Sequence, residues 1–302
     1  MASHRFWRVD VFTDRPLTGN PLAVFPDGRG LSDEQMLAIT REMNISETTF
    51  VLPTKAKGAD YRNRIFTPGG ELPFAGHPSV GTAFVAAEEG IVPKQEGVST
   101  IHQEVGIGVL PLELQVHRGV IAKIVMTQGR PSVGRKITNV DAIARALGVR
   151  SRDITATGLR PQVASTGVPS LQIPLGSVEV VRDLAPDPSK LSTILNRIDP
   201  NAGAYVFAFV AGGGADLHAR GFFPNQGIVE DPATGSAAGA CGAYLAANGR
   251  LPKRDPFIIE QGAEVHHPGR IEVSVAAKGN RPTSVRVGGQ VVEVMRGVLT
   301  MG

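Results

Sequence analysis

A single cysteine, Cys241, is the only thiol in the 302-residue chain. No intramolecular disulfide can form, and no thiolate metal site can be assembled. No stretch approaches the ~20 apolar residues that span a bilayer. The N-terminal Met1-Ala2-Ser3-His4-Arg5 leads into an alternating pattern and not into an apolar signal core. A soluble, cytoplasmic protein with no membrane partner is expected. The 31 basic and 28 acidic residues leave a net charge of +3, a weak field over this length. Arg135-Lys136 and Lys253-Arg254 are only local pairs, so nucleic acid is not an expected partner. No G-x-G-x-x-G follows a strand, which argues against a Rossmann domain. His266-His267 would point to opposite faces of a strand. His4, His102, His117 and His218 have no partner at ligand spacing, so no metal is expected.

What the chain does have is turn chemistry: 36 glycines and 22 prolines without periodicity, as expected of many short strands. Phe6–Phe12, Leu22–Phe25, Thr48–Leu52 and Tyr61–Phe66 read as strands. Ser32 with Gln35 forms a capping-box pattern ahead of the helical stripe Met36, Ile39, Met43. Pro78 opens an apolar helix to about Ala87, stopped by Gly90. Asn139 to Leu147, followed by Gly148, gives another helix.

The second half repeats this order. Gly167-Val168-Pro169-Ser170-Leu171 stands where Gly19-Asn20-Pro21-Leu22-Ala23 stood, and Gly203 to Phe207 where Ser46 to Phe50 stood. Ala233 to Gly239 matches Ala75 to Gly81. Three matches in one order point to a duplicated α/β (α+β) chain with two pseudo-symmetric domains. The break falls near Thr127 to Pro131. The expected domains are 1–127, joined by a C-terminal strand at about 290–302, and 128–289.

Two segments carry the polar chemistry, Phe66 to Pro78 and Glu230 to Ser236. Each sets glycine and a polar residue at the mouth of an apolar helix, where unpaired N–H groups and the helix dipole favour an anion. Taken alone, His77 or Ser236 could be no more than a helix cap. If the halves face each other, the two mouths would converge on a carboxylate beside a reactive carbon. Glu47 enters a strand just past a helix, and its counterpart in this alignment is Ala204, so only one side carries an acid–base group. A one-sided base suits removal and return of a proton on the same face. Near neutral pH that requires Glu47 to be raised by burial. Cys241, inside the second apolar helix, is a packing residue in this reading.

At Asp10-Val11-Phe12-Thr13, Gly19-Asn20-Pro21, Ser46-Glu47-Thr48, Phe66 to Pro78 and Glu230 to Ser236 the sequence resembles the PhzF-like (phenazine-biosynthesis) isomerase family, relatives of diaminopimelate epimerase. The resemblance implies two similar domains, each a strand-rich sheet or barrel around a central helix, assembled as a homodimer. It implies isomerisation of a small carboxylic acid, such as trans-2,3-dihydro-3-hydroxyanthranilate, without cofactor. Glu47 would be the proton shuttle, with His77 and Asp231 as further catalytic groups that hold and polarise the substrate. Ser236, with Gly76 and Gly235, would take the carboxylate, and Asn20 and Thr234 complete the binding set. Thiol-dependent relatives carry cysteines where this chain has Ala75 and Thr234, so a two-thiol racemase is excluded. The resemblance also implies a late Gln-Gly segment that continues into Gly-Arg-Pro-Ser, and here the sequence departs from it, since Gly269-Arg270 leads to Ile271-Glu272. Two alternatives stay open: an epimerase using Glu47 and Asp231 as opposed acid and base, and a non-catalytic carboxylate-binding protein.

Overall fold

The computed structural model describes residues 2–301. Along the chain run β1 (Ala2–Val11), β2 (Asn20–Phe25), α1 (Asp33–Met43), β3 (Thr48–Leu52), β4 (Tyr61–Thr67), β5 (Gly70–Leu72), α2 (Gly76–Glu88), β6 (Gly97–Val105), β7 (Gly108–His117) and β8 (Val120–Thr127). Then follow β9 (Ser132–Val133), α3 (Asp141–Leu147), α4 (Ser151–Thr155), β10 (Gln162–Ser165), β11 (Pro169–Pro174), α5 (Val178–Arg182), α6 (Pro188–Ile198), β12 (Gly203–Phe209), β13 (Leu217–Phe223) and β14 (Ile228–Asp231). The chain closes with α7 (Gly235–Ala247), β15 (Phe257–Gln261), β16 (Gly269–Lys278), β17 (Arg281–Gly289) and β18 (Val291–Met301). It forms two compact units. Unit 1 runs to Met126 and resumes at Gly288; unit 2 is Thr127–Val287. Among the described residues no helix is long and apolar enough to cross a membrane.

Both units follow one ladder plan. In unit 1, β2 lies parallel to β3 (Ala23↔Thr48), β3 antiparallel to β4 (Thr48↔Phe66), and β4 antiparallel to β5 (Ile65↔Leu72) and parallel to β6 (Tyr61↔Gln103). In unit 2, β11 lies parallel to β12 (Leu171↔Ala204), β12 antiparallel to β13 (Ala204↔Phe222), and β13 antiparallel to β14 (Gly221↔Asp231) and parallel to β15 (Leu217↔Ile259). The repeat extends to side chains. Arg64 makes a two-pronged bond to Glu71 (2.8 and 2.5 Å) and lies over the Phe66 ring; Arg220 does the same with Glu230 (2.8 and 2.7 Å) and Phe222.

The ladders correct two alignments drawn from sequence. Ala204 stands opposite Phe222 as Thr48 stands opposite Phe66, so the counterpart of Glu47 is Gly203 and not Ala204. A strand shifted by one residue keeps much of its apolar character, so composition alone does not reveal the slip. At the helices, α2 and α7 are both 13 residues long with N-caps Ala75 and Thr234. Gly76 therefore matches Gly235 and His77 matches Ser236, one position away from the match suggested by the shared alanines.

Helices α2 and α7 are the centres of their units. Every residue of α2 from Gly76 to Ala87 except Phe84 is buried, and so are Gly235 and Ala237 to Ala246 in α7. A helix buried on all sides needs small residues so that strands can approach. A Cβ added at Gly81 would stand 2.6 Å from Leu22 Cδ2, and one at Gly242 would stand 2.8 Å from Val273 Cγ1. Outside the strands, α1 packs Met36 and Ile39 against Phe25, Phe50 and Phe66. In unit 2, α6 packs Leu191 and Leu195 against Leu171 and Val206. The Ser32–Gln35 capping box forms as the sequence predicts.

Candidate active site

In unit 1 the parallel crossover from β2 through α1 delivers Glu47 to the start of β3. Helix α1 ends on Asn44 in the left-handed region (φ 50°), with its N–H donating to the Arg41 carbonyl. The chain then turns through Ile45 and Ser46. Glu47 is only 8% exposed. Burial lifts its carboxyl to about 7, opposed in part by a hydrogen bond with the Ser46 side chain. His77, 6% exposed, places Nε2 3.4 Å from Glu47 Oε2.

His77 is the second residue of α2 and does not cap it. The N-cap is Ala75, which provides no side-chain bond, while Ser79 donates its hydroxyl to the Ala75 carbonyl at 2.8 Å. Asn20 is fully buried at the start of β2, opposite Val11. Gly19 leads into it at φ 71°, and a Cβ there would stand 2.4 Å from the Val11 carbonyl oxygen, so only glycine fits.

In unit 2 Asp231 ends β14 and is 6% exposed. The Thr234 hydroxyl donates to Asp231 Oδ2 in a short contact. Gln261, at the end of β15 and 1% exposed, organises this corner. Its Oε1 accepts from the Tyr205 hydroxyl (3.0 Å) and from the Thr234 N–H (3.1 Å). Its Nε2 donates to the Asp231 carbonyl (2.7 Å) and to Thr234 Oγ1 (3.0 Å). Burial pushes the Tyr205 phenol well above its ordinary value, so it remains a donor. The two donors on Oε1 fix which way the amide points. Thr234 Oγ1, already accepting from that amide, then directs its own proton to Asp231.

Ser236 is half-buried as the second residue of α7, one past Gly235. The N-cap Thr234 makes no side-chain cap bond, so neither Ser236 nor Thr234 seals the helix mouth. Gly262 follows Gln261 at φ 93°, and a Cβ there would lie 2.3 Å from the Pro232 carbonyl oxygen.

The eight residues named from sequence thus fall into two groups. Asn20, Glu47, Gly76 and His77 belong to unit 1; Asp231, Thr234, Gly235 and Ser236 belong to unit 2. Glu47 with His77, and Asp231 with Thr234, are brought into contact. Sequence reasoning missed Gln261 and Tyr205. The available signal was a glutamine followed by glycine at the end of an alternating strand. It also missed a partner for His218, whose Nε2 lies 2.7 Å from Glu264 Oε1. Cys241 is wholly buried, and burial pushes its thiol up, away from nucleophilic chemistry. Among the described residues no three His, Cys, Asp or Glu side chains gather in a way that could hold a metal ion.

Two units on one ladder plan, each wrapped about a buried small-residue helix with polar chemistry at its mouth, define an epimerase-like class of α/β protein. The hydroxyproline epimerase of Agrobacterium vitis shares the fold, with a TM-score of 0.68 at 16% identity, covering 99% of this chain and 91% of that one. A family model described as phenazine biosynthesis-like protein matches residues 9–297, and the chain belongs to that family. It is 35% identical over 286 residues to the trans-2,3-dihydro-3-hydroxyanthranilate isomerase of Pseudomonas aeruginosa, covering 95% of each chain. The PhzF-family phenazine biosynthesis protein of Bacillus anthracis aligns over 100% of both chains at 29% identity, with a TM-score of 0.88. The class of this protein is that of an isomerase.

Proposed function

We propose that this protein is a cofactor-independent isomerase that moves a proton on a small carboxylate-bearing substrate, with Glu47 as the proton carrier. The observation that carries the reading is the burial of Glu47 beside His77, which leaves its carboxyl at about 7. A group with that value takes and returns a proton near neutral pH with little driving force lost in either direction. In this reaction Glu47 as carboxylate removes a proton from one carbon of the substrate. As carboxylic acid it then returns the proton to another carbon on the same face. Atoms and charge balance, and nothing else is consumed. His77 holds and polarises the substrate beside Glu47.

In unit 2, Asp231 is the second polar catalytic group, held by Thr234. Ser236 and the first-turn N–H groups at Gly235 and Gly76 bind carboxylate, with Asn20 completing the binding set. The position equivalent to Glu47 supports a single-face transfer. It is Gly203, where an added Cβ would lie 2.1 Å from the Phe223 ring, so no mirrored base can be built there. By resemblance the working form is a cytoplasmic homodimer, which light scattering on the purified protein would check.

The test is NMR of the protein with trans-2,3-dihydro-3-hydroxyanthranilate, the substrate named for the Pseudomonas relative, in deuterated buffer. Turnover with deuterium incorporation is expected. It should fall by about a hundredfold to ten-thousandfold in Glu47→Gln, the scale on which a positioned acid–base group contributes, while ligand binding persists. Asp231→Asn should slow the reaction, and Ser236→Ala should mainly weaken affinity. Comparable turnover in Glu47→Gln would refute the assignment of the proton carrier. Chiral analysis of the product separates this reaction from inversion of a single stereocentre by Glu47 and Asp231.

A further inference from the structure

Unit 2 holds a cavity of about 580 Å³ at the far end of α7 from Ser236. Three segments remote in sequence border it: the stretch at Arg130 and Pro131, the α7 terminus at Ala247, and the turn from β16 to β17 at Lys278, Asn280, Arg281 and Pro282. Thirteen helical residues lie between the Gly235 end of α7 and this end, on the order of 18 Å of helix axis. The cavity is therefore distinct from the polar groups proposed for catalysis in this unit.

Its chemistry is of one sign. Arg130, Lys278 and Arg281 contribute three positive charges, and no acidic residue lines the wall. Among the described residues none of the three makes an ion pair, whereas Arg150, Arg220 and Arg270 of the same unit each hold a carboxylate. The end of α7 adds little negative potential, because its last carbonyls are already bonded. Ala246 O accepts from the Gly249 N–H at 3.1 Å and Leu245 O from the Arg250 N–H at 2.9 Å. The frame is stiff: Pro131 and Pro282 flank the cations, and the hairpin is tied by Thr283 Oγ1 donating to the Ala276 carbonyl at 3.0 Å. Like charges around one concavity repel one another and raise the local concentration of anions.

We propose that this cavity is a second binding site, for a small multiply charged anion of the phosphate-ester class and about the size of a mononucleotide. The volume falls within the roughly 300–1,000 Å³ range of small-molecule pockets. Two guanidinium forks can each take two oxygens of a phosphoryl group, and the lysine supplies a third charge. Three cations match the charge of a diphosphate monoester. The Asn280 amide adds a neutral donor at the rim. Polycarboxylates share part of this chemistry, and the test separates them.

The experiment is isothermal titration of the 302-residue protein with ADP, pyrophosphate and citrate at about 50 mM and about 500 mM NaCl. It is repeated on Lys278→Ala/Arg281→Ala and on Arg130→Ala, with circular dichroism melts confirming that each variant folds. ADP and pyrophosphate should bind at low salt more tightly than citrate. Affinity should drop by about tenfold or more at high salt and in the double variant. Isomerase turnover should stay within about twofold of the wild type in both variants, since none of the three residues belongs to the catalytic set. No binding of any probe, unchanged affinity in the folded variants, or a preference for citrate would overturn the proposal. So would tighter binding of duplex DNA or anionic vesicles than of ADP, because the cavity would then be one part of a larger electrostatic surface.

Discussion

Glu47 is a residue whose function works against the stability of the fold. Its carboxyl ionises near 4.5 when solvated and at about 7 in the folded chain, so folding disfavours the charged form by about 3 kcal/mol. Between those values the folded protein retains a proton that the unfolded chain has lost. Wild-type stability should therefore fall as pH rises through this window and level off above it. Glu47→Gln removes that titration. Urea unfolding should show the variant gaining on the wild type from pH 4.5 to pH 8, approaching about 3 kcal/mol at the upper end. A difference that does not change with pH would mean that Glu47 is not held neutral by burial. The sequence marked this glutamate by its position between a helix and a strand. It could not show the burial that sets its pKa, because the covering residues come from another part of the chain, His77 at the mouth of α2 among them.

At the scale of elements, what was legible followed punctuation. Ser32 and Gln35 announced α1, and Gly148 closed α3 in the left-handed region. Helix α2 begins at Gly76, two residues before Pro78. The sequence pattern places proline as the first helical residue, yet any of the first-turn positions lacks an intrahelical partner for its N–H and tolerates proline. That shift decides the chemistry, since it places His77 inside the helix instead of ahead of it. The corner between β14 and α7 was not legible. Its stability comes from Gln261 on β15, which satisfies Tyr205, Thr234 and the Asp231 carbonyl at once. Gln261→Leu strands at least two buried polar groups, each costing about 1–3 kcal/mol. A loss of roughly 3 kcal/mol in urea unfolding is expected, together with a fall in kcat, because Thr234 and Asp231 lose the amide that orients them. Loss of stability with kcat and KM unchanged would restrict Gln261 to a structural part.

At the scale of the whole molecule, the duplication explains how one plan yields two different sets of side chains. Position by position along the ladders, Leu72 corresponds to Asp231, Val105 to Gln261 and Gly106 to Gly262. Both glycines are pressed against the proline that precedes the central helix, Pro73 in one unit and Pro232 in the other. The backbone constraint is repeated while the polar clamp around an acid exists only in unit 2, and the Glu47–His77 pair exists only in unit 1. Each unit thus keeps a complete packing scheme, and unit 2 is continuous in sequence from Thr127 to Val287. It has its own central helix and an apolar core that includes Leu147, Leu171, Leu195 and Val206. Expressed alone, residues 127–287 should fold, with a near-ultraviolet circular dichroism signal and a single cooperative urea transition, as expected of a domain of this size. The fragment should show no isomerase turnover, because Glu47 and His77 are absent from it. A broad, non-cooperative transition would mean that the unit depends on the rest of the chain for its core. Turnover by the fragment would remove Glu47 from the mechanism, whatever the outcome for its folding.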